Sequence, residues 1–278
     1  MRRPLADATF AAALRPASWI AVVLPGLIAV FVGVQAWPAL RATGGLPFVM
    51  DSRWAPPSGQ YNLLPMIAGT LVSSIAALIL VGPVAVAYGL HVNLFAGPRL
   101  AAVSRAGVGL LAGVPSVVFG LVALTRLVPL LVRDHPPGLG LGVTVVTLAA
   151  MVLPTAASAI DAAIQQVPTD GIRAVRALGL GAWDGARGVV LPMASRGIRT
   201  GLVLALGRAV GETMAVLMVA GNTVQYPTGP FTAFRTLTGN VAVEMAYAMD
   251  LHRSALFVSA ALLFALVAGI LALEHRRA

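Results

Sequence analysis

The chain has 278 residues, of which 58% are hydrophobic and only 10% charged, and it contains no cysteine. Soluble domains carry about a quarter charged residues, so this composition indicates an integral membrane protein and excludes disulfides and thiolate metal sites. The net charge is +9 and every basic residue is an arginine, but the arginines form no basic domain of the kind that binds nucleic acid. The four histidines show no metal-ligand spacing, so no metal site is predicted.

Six apolar segments are long enough to cross a membrane as helices, which takes about 20 residues each. The first could be misread as a signal peptide, but it is longer than a signal's apolar core and no A-x-A site closes it. We therefore predict an all-α membrane protein with six transmembrane helices and both termini on one side. The predicted spans are 18–39, 64–90, 106–131, 141–164, 201–220 and 254–273.

The distribution of arginine predicts which side faces the cytosol. Twelve arginines lie in the two termini, in the loop with Arg99 and Arg105, and in segment 165–199, whereas five lie in the opposite loops. Cytoplasmic loops of membrane proteins carry the excess of positive charge. Both termini and segment 165–199 are therefore predicted to be cytoplasmic, and the long loops 41–62 and 222–253 are predicted to face outward.

Proline interrupts the fourth predicted span at Pro154, within the sequence Leu-Pro-Thr-Ala-Ala-Ser. A proline inside a helix leaves a backbone carbonyl without its usual partner, and broken helices often line a cavity in transporters. Two interpretations follow: Pro154 marks a helix break beside a cavity, or it belongs to ordinary helix packing.

Segment 165–199 is a polar excursion between two apolar spans. Its first half has a proline near its start and carries an apolar stripe at helical spacing, which together predict a helix. Gly179 is expected to end this helix, since glycine accepts the left-handed conformation at a helix C-terminus. A second short helix is predicted from about Ala182 until Leu191 and Pro192 stop it. The residues expected at the tip of this helix–turn–helix are Leu178, Ala182 and Trp183.

An exposed aromatic tip beside arginines fits two roles. Aromatic anchors flanked by arginine are typical of protein interfaces. An amphipathic segment with the same features can instead lie on anionic lipid. The periodicity of the segment does not separate these two roles.

The segment also resembles the EAA loop of ABC importer permeases, whose two helices dock into a groove on a separate ATPase subunit. The alanine-rich helix, the turn glycine and the distal Leu-Pro all match, but Arg173 stands where the family usually has glutamate. The resemblance implies that coupling to the ATPase rests on Arg173, Leu178, Gly179, Ala182, Trp183, Leu191 and Pro192.

Further sequence runs are similar to those of phosphate importer permeases. The outer loop with Trp54 and Pro56 resembles the C-type subunit of that family more than its A-type sibling. The resemblance implies the MetI-like fold and a bacterial inner-membrane location. It divides the chain into 1–59, with the first helix and outer loop, and 60–278, the transmembrane domain with the coupling loop. The matching runs are G-x-P-S-x-x-x-G at 113–120, G-R-A-x-G-E-T-M at 207–214, G-N at 221–222 and the opening of the last span at 251–257.

Two opposite charges, Arg208 and Glu212, lie within the fifth predicted span. A charge at mid-membrane costs roughly 3 kcal/mol, so intramembrane charges point to a function. They are four residues apart, so on one continuous helix their side chains lie on the same face. They form either a pair that only fixes helix packing or a site where the guanidinium binds an oxyanion and the carboxylate moderates its affinity. The phosphate-permease resemblance implies the second role, with Thr213 and Asn222 as polar neighbours.

The chain has no P-loop and no lysine to complete one, so ATP and Mg²⁺ are expected on a separate subunit, and this chain is expected to be neither an enzyme nor a cofactor carrier. The predicted function is the permease of an ATP-driven phosphate importer that works by alternating access. The resemblance implies a homologous second permease, an ATPase dimer and an extracytoplasmic phosphate-binding protein. The alternatives are a permease for sulfate or molybdate, a secondary ion-coupled transporter or channel, and a membrane scaffold.

Overall fold

The computed structural model describes residues 4–168, 170, 171, 173, 177, 179 and 181–277. Strands β1 (Trp54–Ala55) and β2 (Gln60–Tyr61) form an antiparallel hairpin around a 3₁₀ turn at Pro56–Ser58. Three of the helices are extended by single π-helical turns, which lie at His91–Phe95, Ala123–Leu127 and Ala186–Val190. The helices are α1 (Pro4–Thr43), α2 (Pro47–Met50), α3 (Leu64–Leu90), α4 (Pro98–Ala112), α5 (Ser116–Val122), α6 (Val128–Val132), α7 (Leu141–Gln165), α8 (Ala182–Gly185), α9 (Leu191–Gly211), α10 (Met214–Val219), α11 (Leu237–Glu244) and α12 (Asp250–Arg277).

Five helical segments of the described chain are long and apolar enough to cross a membrane. The bent pair formed by α4 and the run α5–α6 makes a sixth when it is counted as one span. The predicted all-α protein with six spans is therefore confirmed. The five segments are Trp19–Thr43, Leu64–Phe95, Leu141–Gln165, Ala182–Gly211 and Asp250–Glu274.

The third span is bent, and the prediction of one continuous helix over 106–131 is wrong. α4 and the helical run that begins at Ser116 meet at an angle of 90°. Pro115 has an extended backbone, with ψ at 138°, and a proline disfavours the helical conformation of the residue before it, here Val114. α4 therefore ends at Ala112, and α5 begins at Ser116, directly after the proline.

The fourth span is continuous, so Pro154 does not break α7. Pro154 is buried and lies among apolar neighbours on a helix that occupies the centre of the bundle. Glycines on the flanking helices allow this close packing. A Cβ added at Gly89 of α3 would lie 2.9 Å from the Ile164 side chain, and one at Gly201 of α9 would lie 3.0 Å from the Ala159 Cβ.

The first helix, α1, is attached to α12. The rings of Phe31 and Phe257 meet edge to face with their centroids 5.9 Å apart. The Ser254 hydroxyl inserts into the α1 hydrogen-bond ladder, accepting from the Ala39 N–H at 2.9 Å and donating to the Gln35 carbonyl at 2.7 Å. Such an insertion satisfies both backbone groups and fixes the two helices to each other.

The two long loops predicted to face outward pack together at one end of the bundle. Phe48, Trp54 and Tyr61 from the first loop form one apolar cluster with Leu237 and Ala248 from the second. The structure therefore places both loops on the same side of the helices, as their shared orientation requires. The assignment of that side to the exterior stays a prediction from the arginine count.

Candidate transport pathway and coupling segment

The fifth span is interrupted between α9 and α10, where one continuous helix over 201–220 is predicted. α9 ends at Gly211, and the backbone of Glu212 is extended, with ψ at 129°. The Glu212 carboxylate accepts a hydrogen bond from the Ala215 N–H at 3.1 Å, which satisfies a donor in the first turn of α10. The Thr238 hydroxyl of α11 donates to the Glu212 carbonyl at 2.9 Å. Hydrogen bonds to α10 and α11 therefore hold the break in a defined conformation.

The predicted side-by-side arrangement of Arg208 and Glu212 is wrong, because the helix ends between them. An i, i+4 pair requires an unbroken helix, and the Glu212 carboxylate caps α10 instead. Arg208 is exposed at the end of α9, and no ion pair joins it to any acid in the described part of the chain. Its guanidinium donors are therefore available to a ligand.

The other two predicted pathway residues have different surroundings. Thr213 is half-buried in the break itself. Asn222 lies beyond α10 with a left-handed backbone, φ 54°, and its side-chain amide donates to the Leu217 carbonyl at 2.7 Å. This bond satisfies a C-terminal carbonyl of α10, so the Asn222 side chain has a structural partner. Among the described residues, no hydrogen bond joins any two of the four predicted pathway residues.

Glu244, which sequence reasoning missed, is a buried carboxylate within hydrogen-bond distance of three polar side chains. Its carboxylate accepts from the Trp54 indole N–H at 2.8 Å and from the Arg235 guanidinium, and His252 Nε2 lies 2.8 Å from it. Arg235 also donates to the Asn222 carbonyl at 2.9 Å. This cluster joins the β hairpin, α11 and α12. The available signal was that Arg235 and Glu244 are the two charged residues of the stretch 213–249.

The second halves of the two broken spans touch each other. Gly120 of α5 packs on α10, and a Cβ added there would lie 2.9 Å from both the Ala215 Cα and the Met218 sulfur. Only glycine allows this approach without displacement of the neighbouring helix. The bend at 113–115 and the break at 212–213 therefore belong to two helices whose second halves form one packed unit.

Segment 165–199, which we call the coupling segment, has its predicted turn. Gly179 has a left-handed backbone, with φ at +72°, and α8 begins at Ala182. Ala182 and Trp183 are exposed, the tryptophan by 59%. Arg173 is also exposed and lies 3.5 Å from the Asp170 carboxylate. The predicted tip residue Leu178 lies outside the described residues.

Leu191 and Pro192 do not end the second helix of this segment. Pro192 lies in the first turn of α9, directly after a π turn, and the helical run continues through it. The π turn that starts at Ala186 joins α8 to α9, and Ala186 and Val190 are fully buried. One helical run, Ala182–Gly211, therefore connects the exposed tip to the end of α9 that carries the unpaired guanidinium.

Comparisons with known proteins agree with this architecture. A family model described as "Binding-protein-dependent transport system inner membrane component" matches residues 83–274. A phosphate transport system permease protein PstC of Mesorhizobium japonicum is 31% identical, over 99% of this chain and 90% of that protein. The phosphate transport system permease protein PstC 1 of Mycobacterium tuberculosis is 35% identical, over 74% of this chain and 68% of that protein.

Solved structures show the same fold. A bacterial ABC transporter involved in the import of the acidic polysaccharide alginate matches with a TM-score of 0.64, over 97% of this chain and 94% of that chain, at 13% identity. The MetNI methionine ABC transporter in an inward-facing conformation matches with a TM-score of 0.57, over 77% of this chain and 91% of that chain, at 21% identity. At these identities the likeness establishes the architecture of the helices and not the substrate.

Proposed function

Because this chain belongs to the binding-protein-dependent transport system inner membrane components, and within them to the PstC-type phosphate permeases, we propose that it is a permease subunit of an ATP-driven importer of inorganic phosphate. In this proposal the chain provides part of the translocation pathway and works by alternating access. Its relatives are named for phosphate, which favours phosphate over sulfate or molybdate.

The exposed, unpaired guanidinium of Arg208 beside a broken membrane helix is the observation that carries this proposal. An arginine in a membrane span is costly unless it has a partner or faces water. Its planar N–H groups match two oxygens of a tetrahedral oxyanion. Thr213 borders the same break, and the nearby Glu212 carboxylate would moderate the affinity so that phosphate is released.

A secondary ion-coupled transporter is the less favoured alternative. A proton or ion relay between Arg208 and Glu212 needs the two side chains to exchange partners directly. The Glu212 carboxylate instead accepts from a backbone N–H of α10, so the geometry gives no such relay.

In the proposed importer, energy enters at the cytoplasmic coupling segment. The chain has no P-loop, so ATP hydrolysis falls to an ATPase dimer that binds the exposed turn around Gly179 and Trp183. The helical run Ala182–Gly211 carries the resulting displacement to the break beside Arg208. A homologous second permease and an extracytoplasmic phosphate-binding protein complete the assembly, with both termini of this chain in the cytosol.

Purification with co-expressed neighbours and reconstitution into proteoliposomes test the proposed function. The chain should co-purify with an ATPase subunit and a second permease. The reconstituted complex should take up radioactive phosphate only with internal ATP and external binding protein. An excess of sulfate or molybdate should not compete. Phosphate uptake by the chain alone under a proton gradient, or ATP-driven uptake of sulfate without phosphate, would contradict the proposal.

A further inference from the structure

Asp161, on the last turns of α7, is a buried carboxylate whose two oxygens are both saturated. Oδ1 accepts from Arg105 Nη2 at 3.0 Å and from Asn93 Nδ2 at 2.6 Å. Oδ2 accepts from Arg105 Nε at 2.8 Å and from Gln165 Nε2 at 2.9 Å. Arg105 Nη2 also donates to Asn93 Oδ1 at 3.0 Å. We call these four residues the Asp161 cluster.

The Asp161 cluster joins three separate segments. Asn93 lies in the π turn after α3, Arg105 lies on α4, and Asp161 and Gln165 lie on α7. The Asp161 carboxylate is buried, whereas the Arg105 side chain is 38% exposed. Burying a carboxylate carries a desolvation cost, which its four hydrogen bonds offset. The cluster therefore joins the three segments through directional hydrogen bonds as well as through packing.

The attachment of α4 to the bundle depends on Arg105. Within α4, all of which is described, Ala101 is the one buried residue. Few apolar contacts therefore hold this helix, and the bidentate pair of Arg105 with Asp161 is its strong polar link to α7.

The cluster lies between the coupling segment and the bent third span. Gln165 is the last residue of α7 and the first of the coupling segment. On the other side, α4 leads through the bend at 113–115 into α5, where Gly120 packs on α10 next to the break at 212–213. A displacement of the coupling segment thus has a continuous route through the cluster to the candidate pathway.

We propose that the Asp161 cluster transmits movement of the coupling segment to α4, so that Asn93, Arg105, Asp161 and Gln165 are positioning residues for transport. This inference rests on the proposed function, since it assumes an ATPase that displaces the segment. None of the four residues contacts phosphate in this account. Breaking the cluster therefore separates ATP hydrolysis from substrate movement instead of removing either activity outright.

The first test measures coupling in the complete reconstituted complex with its ATPase and binding protein. Asp161→Asn and Arg105→Gln should lower the phosphate taken up per ATP hydrolysed by about tenfold, within the range that residues on coupling routes produce. Co-purification with the ATPase and the rate of ATP hydrolysis should stay close to wild type. Glu274→Gln is the control, because it removes a comparable ion pair between α9 and α12, with Arg199 at 3.0 Å, and it should leave the ratio unchanged.

A second measurement follows α4 directly and does not depend on the substrate. The chain has no cysteine, so spin labels can be placed through Trp19→Cys on α1 and Val103→Cys on α4, both of which are exposed. Trapping the ATPase with ATP and vanadate should change the distance between the labels in the otherwise unaltered protein. Asp161→Asn should abolish that change.

The outcomes separate the two proposals. A wild-type complex that takes up no phosphate, but shows a distance change that Asp161→Asn abolishes, would contradict the proposed function and support the cluster's role. Asp161→Asn with a normal coupling ratio and a normal distance change would overturn that role. Should Asp161→Asn fail to assemble, Gln165→Leu removes one donor only, and it must still lower both readouts.

Discussion

Arg105 and Arg208 both belong to membrane-spanning helices, yet their surroundings differ. Arg105 donates to Asp161 and Asn93 in a closed network. Arg208 is exposed and, in the described part of the chain, has no ion pair. A guanidinium that donates to a carboxylate on another helix fixes the two helices to each other, whereas one without such a partner can bind an anion. The position of a charge in a span is therefore a weaker guide to substrate binding than the presence of a hydrogen-bonded counter-charge.

The contrast between the two arginines predicts the largest effect at the free one. Arg208→Gln removes the positive charge and the N–H groups that would donate two hydrogen bonds to the anion. Two charge-assisted hydrogen bonds together are worth about 3 kcal/mol, so phosphate uptake should fall roughly a hundredfold. ATP-driven uptake of radioactive phosphate by proteoliposomes measures the loss. Arg126→Gln, another exposed arginine of a membrane-spanning helix, is the control and should behave like wild type. Equal losses in both variants would remove the special role of Arg208.

At Glu244, where both carboxylate oxygens have hydrogen-bond partners, we expect a substitution to lower the stability of the protein. Glu244→Gln leaves Arg235 without its anion at a position where both side chains are largely buried, which costs about 3 kcal/mol or more. The midpoint of thermal unfolding of the detergent-solubilised protein should fall clearly. Asp170→Asn breaks the exposed pair with Arg173 and should leave the midpoint unchanged. A Glu244→Gln protein as stable as wild type would show that this cluster carries no net stabilisation.

The break beside Arg208 depends on the contact between α5 and α10. Gly120→Val would place side-chain atoms where a Cβ already lies 2.9 Å from Ala215, and such overpacking costs about 1–3 kcal/mol. Both thermal stability and phosphate uptake should decrease. Gly107→Val on α4 is the matched control, since no heavy atom lies within 4 Å of its added Cβ. Similar behaviour of the two variants would mean that α5 and α10 can separate without loss.

A smaller effect is expected far from both arginines, at the tip of the coupling segment. Gly179→Val forces a branched residue into a left-handed backbone, φ +72°, at a cost of about 1–2 kcal/mol. The variant should assemble but take up less phosphate per ATP, by about five- to tenfold. Gly188→Ala, which has open space around its Cβ and no positive φ, should couple normally. Normal coupling in Gly179→Val would show that the turn conformation is not needed.

Apolar patterning alone predicted much of the helical architecture. The second predicted span, 64–90, coincides with α3, and the fourth, 141–164, falls one residue short of the end of α7. Both segments are long, uncharged and bounded by polar or turn residues, so local sequence determines them. The left-handed turn at Gly179 was predictable for the same reason, because its cause is the glycine itself.

The helix breaks were not predictable from the presence of proline. Pro115 interrupts a helix, whereas Pro154 is buried inside a continuous one. The interruption at Glu212 has no proline and is held in part by Thr238, 26 residues further along the chain. The predicted pairing of Arg208 with Glu212 failed for this reason, since it assumed that helical spacing continues through the break.

Sequence reasoning identified neither the Asp161 cluster nor the hydrogen-bonded group around Glu244. Sequence reasoning used Arg105 and Arg235 only as loop charges that predict the orientation of the protein in the membrane. The acids that bind them lie 56 and 9 residues away along the chain, with no spacing that identifies a pair. The packing of α4 on α7 brings Arg105 to Asp161. Arg235 precedes α11 and reaches Glu244 at the end of the same helix.

Restoring charge at Arg208 tests most directly that the free guanidinium serves the transported anion. Because this chain lacks cysteine, Arg208→Cys in a complex with cysteine-free partners can be modified at one site by methanethiosulfonate reagents of either sign. Uptake of phosphate should be lost in the unmodified variant, return in part with the ammonium reagent, and stay absent with the sulfonate reagent. Full uptake before modification, or the same response to both reagents, would contradict the assignment of Arg208 to the pathway.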